Sequence, residues 1–138
     1  ARNTGNSGDI HVDHVCDIII FMSFKGAGVK TEMKTLEGQI VQDADRLDAI
    51  GAMGIARTFA YGGHKNRSIH DPDKEPSLHQ SKEEYFKNQS STINHFYEKL
   101  LLLKDRMNTK TAKKFAEGRH HFMKEYLDRF FQEWEGKI

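Results

Sequence analysis

The stretch VQDADRLDAIGAMG, residues 41–54, places three carboxylates among alanines, glycines and medium-sized apolar residues. Acids in such company suit two kinds of chemistry: holding a cation, or pairing with a buried arginine. At about 100° per residue, Asp45 and Asp48 lie about 60° apart on one helix face with Val41, Ala49 and Ala52, and Asp43 points almost the opposite way. Asp43 is therefore expected in solvent or beside a neighbouring Arg or Lys. Asp45 sits between Ala44 and Leu47, where an ionised carboxylate is costly unless it is paired or binds a cation. Two readings stay open for it: an ion pair with an arginine such as Arg57, or ligation of a divalent metal ion, Mn²⁺ or Mg²⁺. Asp48, one turn on, either orients a ligand or metal-bound water as a catalytic group, or is a neighbour of exposed charges.

Phosphates would require donors. Lys25 in SFKGAG and the cluster His64, Lys65 and Arg67 in GGHKNR flank the aspartate helix and are the candidate phosphate-binding residues. Neither loop has Walker A spacing. His120 and His121 are adjacent on one helix, so their rings diverge and cannot chelate together.

The elements that must position these groups are helical. Asp9 caps an expected helix over 10–22, apolar on most faces and hence expected to be buried, with Cys16 as a small buried hydrophobe. An ordered loop over 23–35 follows. Next is a helix over 36–60, stopped by Gly62 and Gly63, with Gly51 and Gly54 admitting a close neighbour. A connection over 62–80 carries both prolines. Ser81 and Glu84 form a capping-box pattern opening a helix over 82–106. NTKT recaps the chain for a last helix over 110–135, with Phe115, Phe122, Met123, Tyr126, Leu127, Phe130, Phe131 and Trp134 as its apolar stripe. The fold class is all-α, a bundle of about four main helices with long ordered loops. Residues 1–8 are polar and expected to be flexible.

With 138 residues the chain reads as a single domain. Twenty-one basic against 20 acidic residues leave a net charge of +1, so no one-signed field marks nucleic acid or a membrane as a partner. One cysteine excludes an internal disulfide framework and, with no long apolar run, favours a cytoplasmic setting.

The sequence IVQDADRLDAIGAMGIARTFAYGGHKNRSIHDP, with SFKG upstream, resembles the second half of bacterial HD-domain metal-dependent phosphohydrolases. Within that superfamily it is similar to the stand-alone type that acts as nucleoside triphosphate pyrophosphohydrolases. The resemblance runs from about residue 10 to the C-terminus. It implies an HD-like helical bundle, a divalent ion, a nucleotide substrate, and Asp45 in ADRL as the last of the metal ligands; a homodimer is a separate expectation for the chain. It also implies a first histidine and a His-Asp doublet upstream of the matched part, without counterparts here. His70-Asp71 falls where the family places no ligand. The chain is accordingly expected to be the C-terminal portion of an HD domain. The competing expectation is a non-catalytic helical interaction or oligomerisation module whose acids and arginines form structural ion pairs.

Overall fold

The computed structural model describes residues 7–87 and 90–138, and among them it holds helices and no strand. The order is α1 (Ser7–Met22), α2 (Leu36–Asp48), α3 (Gly51–His64), α4 (Lys82–Lys87), α5 (Thr92–Glu98), two 3₁₀ turns (Leu100–Leu102 and Lys104–Arg106) and α6 (Lys110–Trp134). Side chains cap three of the starts: Thr35 accepts from Gly38 N, Ser91 from Asn94 N, and Thr109 from Ala112 N. Each satisfies a backbone donor that the first helical turn leaves open. Ser81 likewise accepts from Glu84 N, but the Glu84 carboxylate reaches back to Gln80 N, not to Ser81. None of these helices is long and apolar enough to cross a membrane.

The core lies where α6 packs on α3 and the α5 region fills the space beside them. Phe96, Leu103, Ala116 and Met123 have no exposed surface, and Ile50, Ile93 and Leu100 have almost none. Burying a side chain of this size stabilises by about 1.5–3 kcal/mol. Only part of the expected aromatic stripe joins in. Met123 and Leu127 are buried, whereas Phe115, Phe122 and Trp134 are largely exposed, and the small Ala112 and Ala116 line the inner face of α6 instead.

Four expectations change. The helix over 36–60 is two helices, broken at Ala49 and Ile50, because Gly51 has φ of +77° and a Cβ there would come within 2.9 Å of Arg119 Cγ. Left-handed backbone is accessible to glycine at no steric cost, which is why the turn falls there. Further on, α3 runs through Gly62 and Gly63 to His64; a Cβ at Gly62 would lie 2.3 Å from Thr92 Oγ1, so that glycine serves a close approach to α5. The helix over 82–106 is likewise split into α4, α5 and the 3₁₀ turns. Finally, α1 contains Asp9 within it, and Val12, Val15, Ile19, Ile20 and Cys16 are exposed. It leans on α2 through His14, whose ring hydrogen-bonds Thr35, and through Ile18, which lies near Gly38. The expected flexibility of 1–8 falls, for residues 1–6, outside the described residues.

Asp43 departs from the expectation of a solvent position, since it is 3% exposed, and meets the other half of that expectation by lying close enough to Arg46 to oppose the lowering of its pKa. One carboxylate oxygen accepts from Asn108 N at 2.7 Å and Asn108 Nδ2 at 3.0 Å, and the other from Thr109 N at 2.8 Å. A negative charge at the N-terminus of the long α6 is favourable to the helix dipole as well. Beside it, Gln42 Nε2 donates to Phe21 O and Thr31 O, at 2.8 and 2.7 Å, and its Oε1 accepts from Asn108 Nδ2 at 2.9 Å. Arg46 donates to Arg106 O and to Thr31 Oγ1. Arg106 in turn lies over the Phe24 ring and donates to Ala27 O, holding the 23–35 loop in shape.

Asp43→Ala removes the carboxylate acceptor from the half-buried backbone N–H groups of Asn108 and Thr109, so it is expected to lower unfolding free energy by about 1–3 kcal/mol in urea denaturation. Gly51→Leu should cost more than about 2 kcal/mol through positive φ and collision with Arg119. An unchanged urea midpoint in either variant would contradict the geometry.

Candidate phosphate-binding cleft

The break at Gly51 turns α3 so that it faces α4 and α5 across a cleft of about 620 Å³. Its polar and charged walls are Arg57, Thr58, Tyr61, Arg67, Tyr85, Thr92, His95 and Lys99. Four glycines and alanines on α3 and just before it (Ala49, Gly54, Ala60 and Gly62) leave the space open. Among the described residues no carboxylate is part of its walls, while Asp48, paired with Arg57, and Asp45, acting on Lys99, stand beside them.

Each cation is held by its surroundings. Arg57 forms an ion pair with Asp48, both about 60% exposed. Arg67 follows the left-handed Asn66, φ 53°, and lies over the Tyr61 ring at 5.8 Å. Lys99 ends α5, with its ammonium 5.9 Å from the Phe24 ring centroid. Burial lowers the Lys99 pKa, Asp45 opposes that shift, and Arg57 adds to it. The exposed Asp45 carboxylate is thus close enough to support the Lys99 charge, which ties the aspartate helix to the cleft.

The sequence candidates fall into two groups. Arg67 lines the cleft, Asp48 pairs with a cleft residue, and Asp45 acts on Lys99 from beside it. Lys25 lies apart from its walls, donating to Ile20 O at 2.6 Å and lying over Phe21. His64 and Lys65 are exposed at the end of α3, where Lys65 lies over the outer Tyr61 ring. His70 packs against Phe130, Phe131 and Trp134 at the end of α6, and Asp71 pairs with Lys74. Sequence reasoning passed over Lys99 and His95. Both belong to a segment whose periodic Ile, Phe and Leu residues signal core, and nothing local distinguishes a cleft-facing lysine there.

Among the described residues no three His, Cys, Asp or Glu side chains come together as a metal-binding group. A divalent ion takes about six oxygen or nitrogen ligands. Asp45 alone, with Lys99 and Arg46 as its charged neighbours, does not make such a site.

Comparison with known proteins agrees with this geometry at the level of the fold. No protein-family model matches the chain. The curated uncharacterized protein YpgQ of Bacillus subtilis is 42% identical over 121 residues, covering 87% of this chain and 51% of YpgQ. A crystal structure from Lactobacillus plantarum is 45% identical with a TM-score of 0.87, over 97% of this chain and 63% of that one. An HD-superfamily hydrolase from Bacillus thuringiensis is 45% identical with a TM-score of 0.65, over 94% and 56%. YpgQ in complex with ADP is 38% identical with a TM-score of 0.67, over 94% and 56%. These neighbours support an HD-like family, and the all-α fold of the chain is HD-like. The chain spans about half the length of the curated relative it matches.

His95 supplies a pH test of the cleft. Burial, then Lys99, Arg67 and His79, push its pKa down from 6.5 to about 4. The unfolded chain therefore binds the extra proton first as pH falls. Stability contributed by the neutral ring is complete above about 6.5 and is lost progressively as pH falls towards about 4. Urea midpoints measured across that window are expected to fall for the native protein and to fall less for His95→Gln.

Proposed function

We propose that the chain is the phosphate-gripping part of an HD-type, metal-dependent phosphohydrolase whose substrate is a nucleotide, most simply a nucleoside triphosphate. The observation that carries this reading is the conjunction of a three-cation cleft, Arg57, Arg67 and Lys99, with the Asp45 carboxylate at its edge. The similarity to an HD-superfamily hydrolase and to an ADP complex of YpgQ supports it. Phosphoryl transfer requires charge neutralisation on the phosphate oxygens and fixed positioning, and guanidinium and ammonium groups supply both. Asp48 orients Arg57 towards the cleft, acting on substrate through that arginine. Tyr61 and Tyr85 offer aromatic walls for the remainder of a nucleotide.

Asp45 enters as one carboxylate ligand of a divalent ion whose other donors come from outside the described residues. Such an ion, when bound, acidifies water and polarises the phosphoryl group. The contribution of this chain is the grip. Lys25, His64 and Lys65 retain at most an outer role, attracting the anion before it docks.

The test uses the intact protein with Mn²⁺ or Mg²⁺ and the common nucleoside triphosphates. Asp45→Ala should abolish phosphate or pyrophosphate release while circular dichroism stays helical. Arg57→Ala, Arg67→Ala and Lys99→Ala should each raise KM with little change in kcat. A charge-assisted contact worth about 1.5–3 kcal/mol corresponds to about ten- to hundredfold. Three unchanged KM values would remove the cleft from the reading.

A second reading is a helical interaction module. The exposed apolar residues of α1 and α2, Val12, Val15, Ile19, Leu36 and Ile40, favour it, as does the Asp48–Arg57 pair. An intact protein that hydrolyses no triphosphate with either metal would leave this reading standing alone.

A further inference from the structure

The cleft holds a titratable group that the proposed grip does not use. His95 lies on α5 one turn before Lys99, lines the cleft, and stacks on Tyr85 with ring centroids 6.4 Å apart. The groups around it come from every neighbouring element: Lys99 from its own helix end, Arg67 and His79 from the connection after α3, Tyr85 from α4, and Arg57 and Tyr61 from α3 across the cleft. Glu98, the carboxylate next to Lys99, is buried and accepts from Ser77 N and Ser90 Oγ. In the free protein, burial and neighbouring cations keep the ring neutral at ordinary pH. A phosphate chain held between Arg67 and Lys99 reverses the sign of that local field. An anion within contact distance favours imidazolium, and imidazolium has N–H donors on both ring nitrogens.

We propose that His95 is a proton-coupled phosphate donor: when a polyanionic phosphate chain occupies the cleft, the ring takes one proton from solvent and donates it in a hydrogen bond to a phosphate oxygen. The lone pair of one ring nitrogen takes the proton from hydronium, so one N–H bond forms as one O–H bond breaks and water is left; no bond to phosphorus forms. This rests on the phosphate reading of the cleft proposed above. It makes binding linked to pH, with affinity rising up to about tenfold per unit fall in pH where the coupling is complete. It also favours chains of high charge, because a single phosphate compensates fewer of the surrounding cations.

The experiment is isothermal titration calorimetry on the intact protein with inorganic tripolyphosphate, at about pH 6 and about pH 8, in buffers of different ionisation enthalpy. At the lower pH the native protein should give a binding heat that depends on the buffer and reports proton uptake. His95→Gln should take up less by a fraction of a proton and bind several-fold more weakly, while at the higher pH the two proteins bind alike. Comparison with the variant cancels the titration of tripolyphosphate itself. Equal proton uptake by both proteins overturns the proposal. Binding absent altogether from the native protein overturns the phosphate reading of the cleft instead. Should His95→Gln fail to fold, the His95 ring proton resonance in the native protein decides: a shift towards imidazolium on adding tripolyphosphate supports the proposal, and an unmoved resonance overturns it.

Discussion

The Asp43 carboxylate, buried and shared between two backbone amides and one side-chain amide at the start of α6, is the interaction on which the remaining arrangement depends. It fixes the longest helix against α2, and α6 in turn packs on α3. Gln42 and Arg46, on the same buried side of α2, carry the arrangement outwards to the 23–35 loop through Thr31, and Arg106 secures that loop by its carbonyls. A buried ion without such partners would cost several kcal/mol; with three donors on its oxygens the cost is offset, and the interaction is directional in a way that apolar packing is not. One face of α2 is therefore structural, and Asp45 and Asp48 stand exposed on the opposite face.

That division of labour within one helix was half legible in the sequence. Periodicity alone separates Asp43 from the Asp45 and Asp48 face, and the structure has them on opposite sides of α2. Which side is buried was not legible, because the partners of Asp43 stand 65 and 66 residues away and no local signal announces them. Caps were readable where a side chain meets its own helix, as at Thr109 and Ser91. Breaks were not, since the turn at Gly51 falls against Arg119 of α6, a neighbour that only the tertiary structure supplies. The cleft shared this fate. Arg67 was one of four loop candidates, with Lys25, His64 and Lys65, and only it lines the cleft, whereas Lys99 and His95 gain their meaning only when α3 turns to face them.

The cleft and the aspartate helix also differ in how their charges are managed. Inside the α2 cluster every ion meets fixed polar partners, and burial lowers the Arg46 pKa while Asp43 holds it up. Across the cleft, burial and neighbouring cations lower both Lys99 and His95, and Asp45 relieves Lys99 only in part. Like charges facing one cleft repel each other, and a bound anion would relieve that repulsion beyond what Asp45 and Asp48 supply.

The Asp43 contact has a consequence for how the chain reaches this shape. Joining α2 to the start of α6 closes a loop of about 65 residues, and the entropy of that closure is spent before the hydrogen bonds return anything. Local helices such as α3 and α6 can form within microseconds, but the interaction that sets their mutual placement belongs to the non-local class that slows folding. The docking of α2 on α6 around one carboxylate is thus a non-local contact, of the kind that raises contact order and slows folding.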